Sequence, residues 1–164
     1  MKHLARIGLG IAVAGAALLN HSVAEAVEPH GVNFTIHSSI DPSFCVESAS
    51  TGGPEGRTVY MSSCAARDNQ HWTFTWDAGN NSVIVGGEGL CLDIRGRKAG
   101  DGQPVQIWKC HYGDNQKFTY TATGHIREVK SGNCLQIAQA AQNAAVSIAA
   151  CNETAKTQIF NIGH

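Results

Sequence analysis

CLDIRGRKAGDGQPVQIWKCHYGDNQKF, residues 91–118, ties five polar or aromatic side chains to two cysteines. Asp93 stands two positions after Cys91, and Gln106-Ile-Trp108 ends two positions before Cys110. Asn115 and Gln116 follow Cys110 at a short, fixed offset. The same grammar recurs on either side. FCVES (44–48) and NCLQI (133–137) match LCLDI (90–94), while RTVYMSSC (57–64) and AAVSIAAC (144–151) match QPVQIWKC (103–110). NQHW (69–72), NQKF (115–118) and TQIF (157–160) close three copies, the last after one extra residue. Such a period marks one supersecondary unit that buries its apolar face only against its neighbours.

All six cysteines fall inside these copies. Six cysteines permit 15 pairings by count. The spans Cys45–Cys64, Cys91–Cys110 and Cys134–Cys151 are 19, 19 and 17 residues, and three similar spans predict three local disulfides. In the loop-entropy model each contributes about 3 kcal/mol. Zinc is the rival use of cysteine, but no Cys-x-x-Cys or Cys/His pairing at ligand spacing occurs, so no metal and no cofactor is expected. The N-terminus agrees with an oxidising destination. Lys2 and Arg6 precede an uncharged apolar run from Ile7 to Leu19, and Ala24-Glu25-Ala26 offers a small-x-small cleavage site. Residues 1–26 therefore read as a secretory signal peptide and 27–164 as one mature domain, secreted and disulfide-bonded. The rival reading, a retained anchor, meets the shortness of the run, since a span needs about 20 residues.

Without Lys2, Arg6 and Glu25, the 12 basic and 13 acidic side chains fall to 10 and 12, a net charge of −2. That balance argues against nucleic acid or an anionic membrane as partner, since both need a basic stripe. No second apolar run predicts membrane insertion.

Upstream of each first cysteine lies a further alternating run: VNFTI (32–36), SVIV (82–85) and HIREV (125–129). Each copy thus holds about four short strands, separated by turn clusters such as STGG (50–53), AGNN (78–81) and GDG (100–102). Alanine-rich AQAAQNAAV (138–146) has helical composition, but the repeat register equates it with the loop RGRKAGDGQPV (95–105) and predicts a loop there. Repeats at about 32–81, 82–124 and 125–164 predict an all-β unit of three four-stranded repeats, closed on itself so that no sheet edge is left open. Val46, Leu92 and Leu135, with Val59, Val105 and Val146, and Trp72, Phe118 and Phe160, recur at matching places and are the candidate core. Trp76 lies outside these matches and is assigned to packing or surface.

Cys-Leu-Asp (91–93), Gln-x-Trp-x-Cys (106–110) and Asn-Gln-x-Phe (115–118), in a threefold frame, resemble the ricin-B-type β-trefoil lectins over essentially the whole mature chain. Small secreted actinobacterial lectins look like this throughout their length. The resemblance implies a β-trefoil with one potential sugar pocket per repeat and glycans or glycoconjugates as partners. It implies that Asp93, Gln106, Trp108, Asn115 and Gln116 form the sugar-binding set. Gln106 and Trp108 are two apart on one strand and share a face. An indole offers a flat apolar partner to the C–H face of a pyranose, and a carboxylate accepts charge-assisted bonds from hydroxyls. Asn115 offers a donor and an acceptor. By the resemblance, Gln106 reaches the sugar, Gln116 holds the carboxylate, and galactose-like sugars are favoured. The plainer alternative makes Asp93 and Gln116 turn ties and Trp108 core, but five positions agreeing at once favour the site.

The flanking copies depart from this pattern. The first has Glu47, Tyr60 and Ser62 at the Asp, Gln and Trp positions and keeps Asn69 and Gln70, which allows at most a weak second site. The third has Gln136, Ser147 and Ala149, and reads as scaffold. Of the eight histidines two lie in the leader, and His71 and His111 read as surface or turn residues, so no catalytic constellation is visible. One carboxylate per pocket is too few for ordinary glycoside hydrolysis, so the chain is expected to be non-catalytic. A competing reading is a protein-binding trefoil, such as the cell-surface-binding subunit of a toxin with a degenerate sugar site. Oligomeric state is not written in any of these motifs.

Overall fold

The computed structural model describes residues 33–51, 53, 55–76 and 82–163. The expected leader, Val32, the AGNN turn at 78–81 and the side chain of Trp76 lie outside what is described. The first repeat supplies β1 (Thr35–Ser38), β2 (Phe44–Ser48), β3 (Arg57–Ser63) and β4 (Trp72–Trp76). The second supplies β5 (Ser82–Gly86), β6 (Cys91–Ile94), β7 (Gln103–Trp108) and β8 (Phe118–Tyr120). The third supplies β9 (Ile126–Glu128), β10 (Cys134–Ile137), β11 (Ala144–Ala149) and β12 (Phe160–Gly163). The alanine-rich segment turns and then enters β11 without helix. Alternation on β11 buries Ala144, Val146 and Ile148, and that burial outweighs alanine's helical preference.

Two sets of pairings join the repeats. The third strands meet at the centre: β3 with β7, β7 with β11, and β11 with β3. Around the rim, the last strand of each repeat pairs with the first strand of the next, as β4 with β5, β8 with β9, and β12 with β1. The final strand therefore covers the edge the first strand would otherwise expose. The matched apolar positions all lie in one core, where Trp72, Phe118 and Phe160 are essentially inaccessible. Each such side chain contributes about 1.5–3 kcal/mol by leaving water. The Trp72 Nε1 donates to the Val46 carbonyl at 3.0 Å, which satisfies its polar atom inside the core.

Local disulfides form as the spacing predicts: Cys45–Cys64, Cys91–Cys110 and Cys134–Cys151, with Cα separations of 5.0–5.1 Å. In each repeat the first cysteine lies opposite the residue two before the second, so Cys91 faces Trp108 as Cys45 faces Ser62 and Cys134 faces Ala149. After each second cysteine a 3₁₀ turn delivers a buried glutamine: Asp68–Gln70, Asp114–Gln116 and Lys156–Gln158. The three amides make one set of bonds. Gln70 Oε1 accepts from the Ala65 N–H at 2.8 Å, Gln116 Oε1 from the His111 and Tyr112 N–H groups at 2.9 and 3.1 Å, and Gln158 Oε1 from the Asn152 N–H at 2.7 Å. Their Nε2 atoms donate to the carbonyls of Ser63, Lys109 and Ala150 at 2.9–3.0 Å. The extra residue of the third repeat is absorbed before its 3₁₀ turn, and Gln158 keeps its partners.

Removing one of these buried amides takes away the partner of a backbone N–H and of a backbone carbonyl of the turn and leaves a cavity behind. Gln158→Ala is expected to destabilise the chain by about 3 kcal/mol, measured by urea unfolding. The variant's unchanged m-value would show that the folded state itself is intact.

Candidate functional site

Side chains on β6 and β7 alternate, so Leu92 and Ile94 enter the core while Cys91 and Asp93 face outward. Asp93 lies directly opposite Gln106, and Cys91 opposite Trp108, so the disulfide, the carboxylate, the amide and the indole share one surface. The 3₁₀ turn Asp114–Gln116 then brings Asn115 and Gln116 against the carboxylate. Asp93 Oδ1 accepts from Gln106 Nε2 at 2.9 Å, and Oδ2 accepts from Asn115 Nδ2 at 2.7 Å and Gln116 Nε2 at 2.9 Å. Three amides thus hold one carboxylate that is only 3% exposed. Trp108 is 36% exposed beside it. Asp93, Gln106, Trp108 and Asn115 border an open hollow of about 290 Å³, with Gly96, Arg97 and His111 on its other walls. Gln116 is fully buried behind the carboxylate and does not line the hollow. All five sequence-derived residues are therefore brought together, four on the wall and one behind it.

Gln106 lines the hollow and is tied on both sides, Nε2 donating to Asp93 and Oε1 accepting from Arg95 Nε at 3.0 Å. Its amide thus orients the carboxylate and keeps a second N–H. Arg95 continues the chain of bonds to the carbonyl of Gly56 in the first repeat at 3.1 Å. Gly56 has φ +79°, and a Cβ added there would come within 3.2 Å of Trp108 Cζ3. The first repeat thus supports the indole of the second.

His111, read from sequence as a surface or turn residue, belongs to the site as well. Its Nδ1 accepts from the Gly113 N–H at 3.1 Å, and its Nε2 lies 3.4 Å from Asp93 Oδ2. With Nδ1 acting as an acceptor, the proton of the neutral ring sits on Nε2, toward the carboxylate. The turn after Cys110 creates this contact, so spacing carried no signal for it. Arg95 lies just past the end of β6, in the 3₁₀ turn Arg95–Arg97, so strand alternation carried no signal for it either.

The first repeat assembles part of the same set and closes it. Glu47 Oε1 accepts from the hydroxyl of half-buried Tyr60 at 2.9 Å. Glu47 Oε2 accepts from Gln70 Nε2 at 2.6 Å and Arg67 Nη1 at 2.9 Å. Asn69 turns away and donates to the Ser48 carbonyl at 2.7 Å. Burial by itself would raise the Glu47 carboxyl, but bonds from Tyr60, Gln70 and Ser62, with the Arg67 charge, hold it below its ordinary value. The third repeat substitutes a neutral pair, Gln158 Nε2 donating to Gln136 Oε1 at 2.9 Å. Elsewhere among the described residues, the one convergence of metal-ligand types is His37 with Cys45 and Cys64, whose sulfurs are already joined to each other.

Comparison with known proteins bears on this arrangement. The family model for the ricin-type beta-trefoil lectin domain matches residues 80–164, and the model for the ricin-type beta-trefoil lectin domain-like family matches 29–108. Agglutinin of Ricinus communis is 37% identical over 71 residues, covering 42% of this chain and 12% of the agglutinin. Nigrin b of Sambucus nigra is 40% identical over 52 residues, covering 32% of this chain and 9% of nigrin b. The chain thus spans about a tenth of the length of these relatives. The designed threefold-symmetric protein ThreeFoil superposes with a TM-score of 0.72 at 19% identity, over 80% of this chain and 98% of its own. A non-toxic homologue of type II RIPs from Momordica charantia, solved with α-methyl-D-galactoside, superposes at 0.66 and 22% identity, over 80% of this chain and 47% of its own. At these identities the superpositions speak for the fold.

Two outcomes follow from the local geometry. Gly56→Ala adds a methyl group against Trp108 in a left-handed backbone. It is expected to cost about 1–2 kcal/mol and to shift the indole N–H resonance of Trp108 while leaving that of Trp72 in place. The Glu47 carboxyl is depressed in the folded chain, so its contribution to stability is present above its ordinary value of 4.5 and lost as pH falls below it. Glu47→Gln is expected to flatten the acid limb of the stability–pH curve, followed by thermal unfolding between neutral and acid pH.

Proposed function

Because the chain belongs to the ricin-type β-trefoil lectin family, we propose that it is a carbohydrate-binding protein that engages one galactose-like pyranose in the second repeat. The observation that carries this reading is an exposed indole beside a carboxylate held in place by three amides. The third repeat helps separate binding from scaffolding. Its Gln158 staple works on the neutral Gln136, so the fold needs a polar acceptor at this position and has no need of a charge. A buried charge kept where a neutral amide suffices has a cost, and a ligand's hydroxyl donors would compensate it.

On this reading the C–H face of the pyranose lies on Trp108, and one of its hydroxyls donates to the remaining lone pair of Asp93 Oδ1. Asn115 Oδ1, which has no hydrogen-bond partner among the described residues, accepts from a further hydroxyl. Gln106 and Gln116 orient the carboxylate. The unit comprises residues 27–164 and is secreted after loss of 1–26, which suits its three disulfides. The first and third repeats are scaffold: Arg67 and Tyr60 already occupy the first carboxylate, and the third has none. The role is binding without catalysis. With one site per chain, avidity requires several copies or a densely glycosylated surface.

A glycan array followed by calorimetry tests this. Wild type is expected to bind galactosides at one site per chain. Asp93→Gln and Trp108→Ala are each expected to weaken binding at least tenfold, while Asp93→Gln keeps the wild-type unfolding midpoint within a few degrees. Absence of any glycan ligand for the wild type would transfer the case to a protein partner.

A further inference from the structure

A second hollow, of about 640 Å³, adjoins the first and shares Arg97, His111 and Asn115 with it. Its far side comes from the third repeat, through Glu128, Lys130 and Ser131. The two hollows form one depression running from Trp108 across the junction of the second and third repeats. The smaller fits a single ring, and the larger leaves room for what is attached to that ring.

The charges facing the larger hollow are unequal in their commitments. Glu128 is buried, with its carboxylate accepting from the Lys130 and Ser131 N–H groups at 3.0 and 2.6 Å and from the Ser131 hydroxyl. Lys130 Nζ pairs with Asp114 at 2.8 Å. His111 is turned toward Asp93. Arg97 alone among these has no hydrogen bond or ion pair with any described residue. It is also held in an unusual way: Gly96 and Arg97 are both left-handed, at φ +74° and +60°. The matching residues Ser50 and Thr51 in the first repeat, and Gln139 and Ala140 in the third, do not share that conformation. The peculiarity thus belongs to the repeat that carries the sugar hollow, and it sets a guanidinium on the boundary between the two depressions.

We infer that the larger hollow holds the next part of a glycan whose first ring rests on Trp108, and that this part carries an acidic group paired with Arg97. The inference rests on the single-pyranose reading given above. Guanidinium matches a carboxylate or a sulfate with two parallel hydrogen bonds, which a hydroxyl cannot supply. A sialic acid or uronic acid and a sulfate ester share this chemistry, so both are tested.

The probes are methyl galactoside, its 3- and 6-sulfate esters, and galactosides bearing a sialic acid at the 3- or 6-position. They are titrated against the full chain by calorimetry at low and high salt. At least one acidic probe is expected to bind about tenfold more tightly than methyl galactoside at low salt, with the ratio shrinking at high salt. Arg97→Gln is expected to bring that ratio close to one, and Arg97→Lys to restore part of it. Whether the sulfated or the sialylated arm responds identifies the source of the charge. Equal affinity for neutral and acidic probes, or a ratio untouched by Arg97→Gln, overturns the extension and leaves the primary site standing. Failure of every probe, methyl galactoside included, overturns both.

Discussion

A buried glutamine amide, used three times, holds this molecule in shape. Gln70, Gln116 and Gln158 each take a backbone N–H from the chain just past a disulfide and return an N–H to a carbonyl just before it. The turn they span has no sheet partner of its own, and the buried amide ties its backbone to the core. Each amide keeps one further N–H, and that hydrogen points at the residue two after the first cysteine of the repeat. The fold therefore presents an oriented donor to that residue in all three repeats, whatever stands there.

What stands there differentiates them. Glutamate reaches far enough to meet Tyr60 and Arg67 and forms an ion pair with the half-exposed guanidinium over it. Glutamine satisfies the donor and ends the matter. Aspartate, one methylene shorter, stays back against Gln106, Asn115 and Gln116 and leaves a hollow in front of it. A threefold scaffold is thus made asymmetric by side-chain length and charge at a single position, with Trp108 exposed in one repeat where Ser62 and Ala149 occupy the others.

The neighbouring repeats still shape the second one. Gly56 of the first repeat lies under Trp108 and receives Arg95, and the third repeat closes the larger hollow with Glu128 and Lys130. Central pairing among β3, β7 and β11 sets these distances. The paired hollows beside Trp108 are therefore a property of the closed trefoil, and an isolated second repeat would lack both the underlay of the indole and the far wall.

Cysteine spacing and the recurring apolar positions determined the threefold frame, the local disulfides and the core, because a repeat imprints its period on the sequence. Asp93, Gln106, Trp108, Asn115 and Gln116 were legible for the same reason, each standing at a fixed offset from a cysteine. The roles were not all legible. The orientation of Gln106 depends on its bond to Arg95, and Arg95 is held by a carbonyl 39 residues away. His111 joins Asp93 only because the 3₁₀ turn doubles the chain back, and the Glu47 site closes only because Arg67 folds over it. Those contacts join residues without a common period, and only folding in three dimensions brings their charges within hydrogen-bonding range.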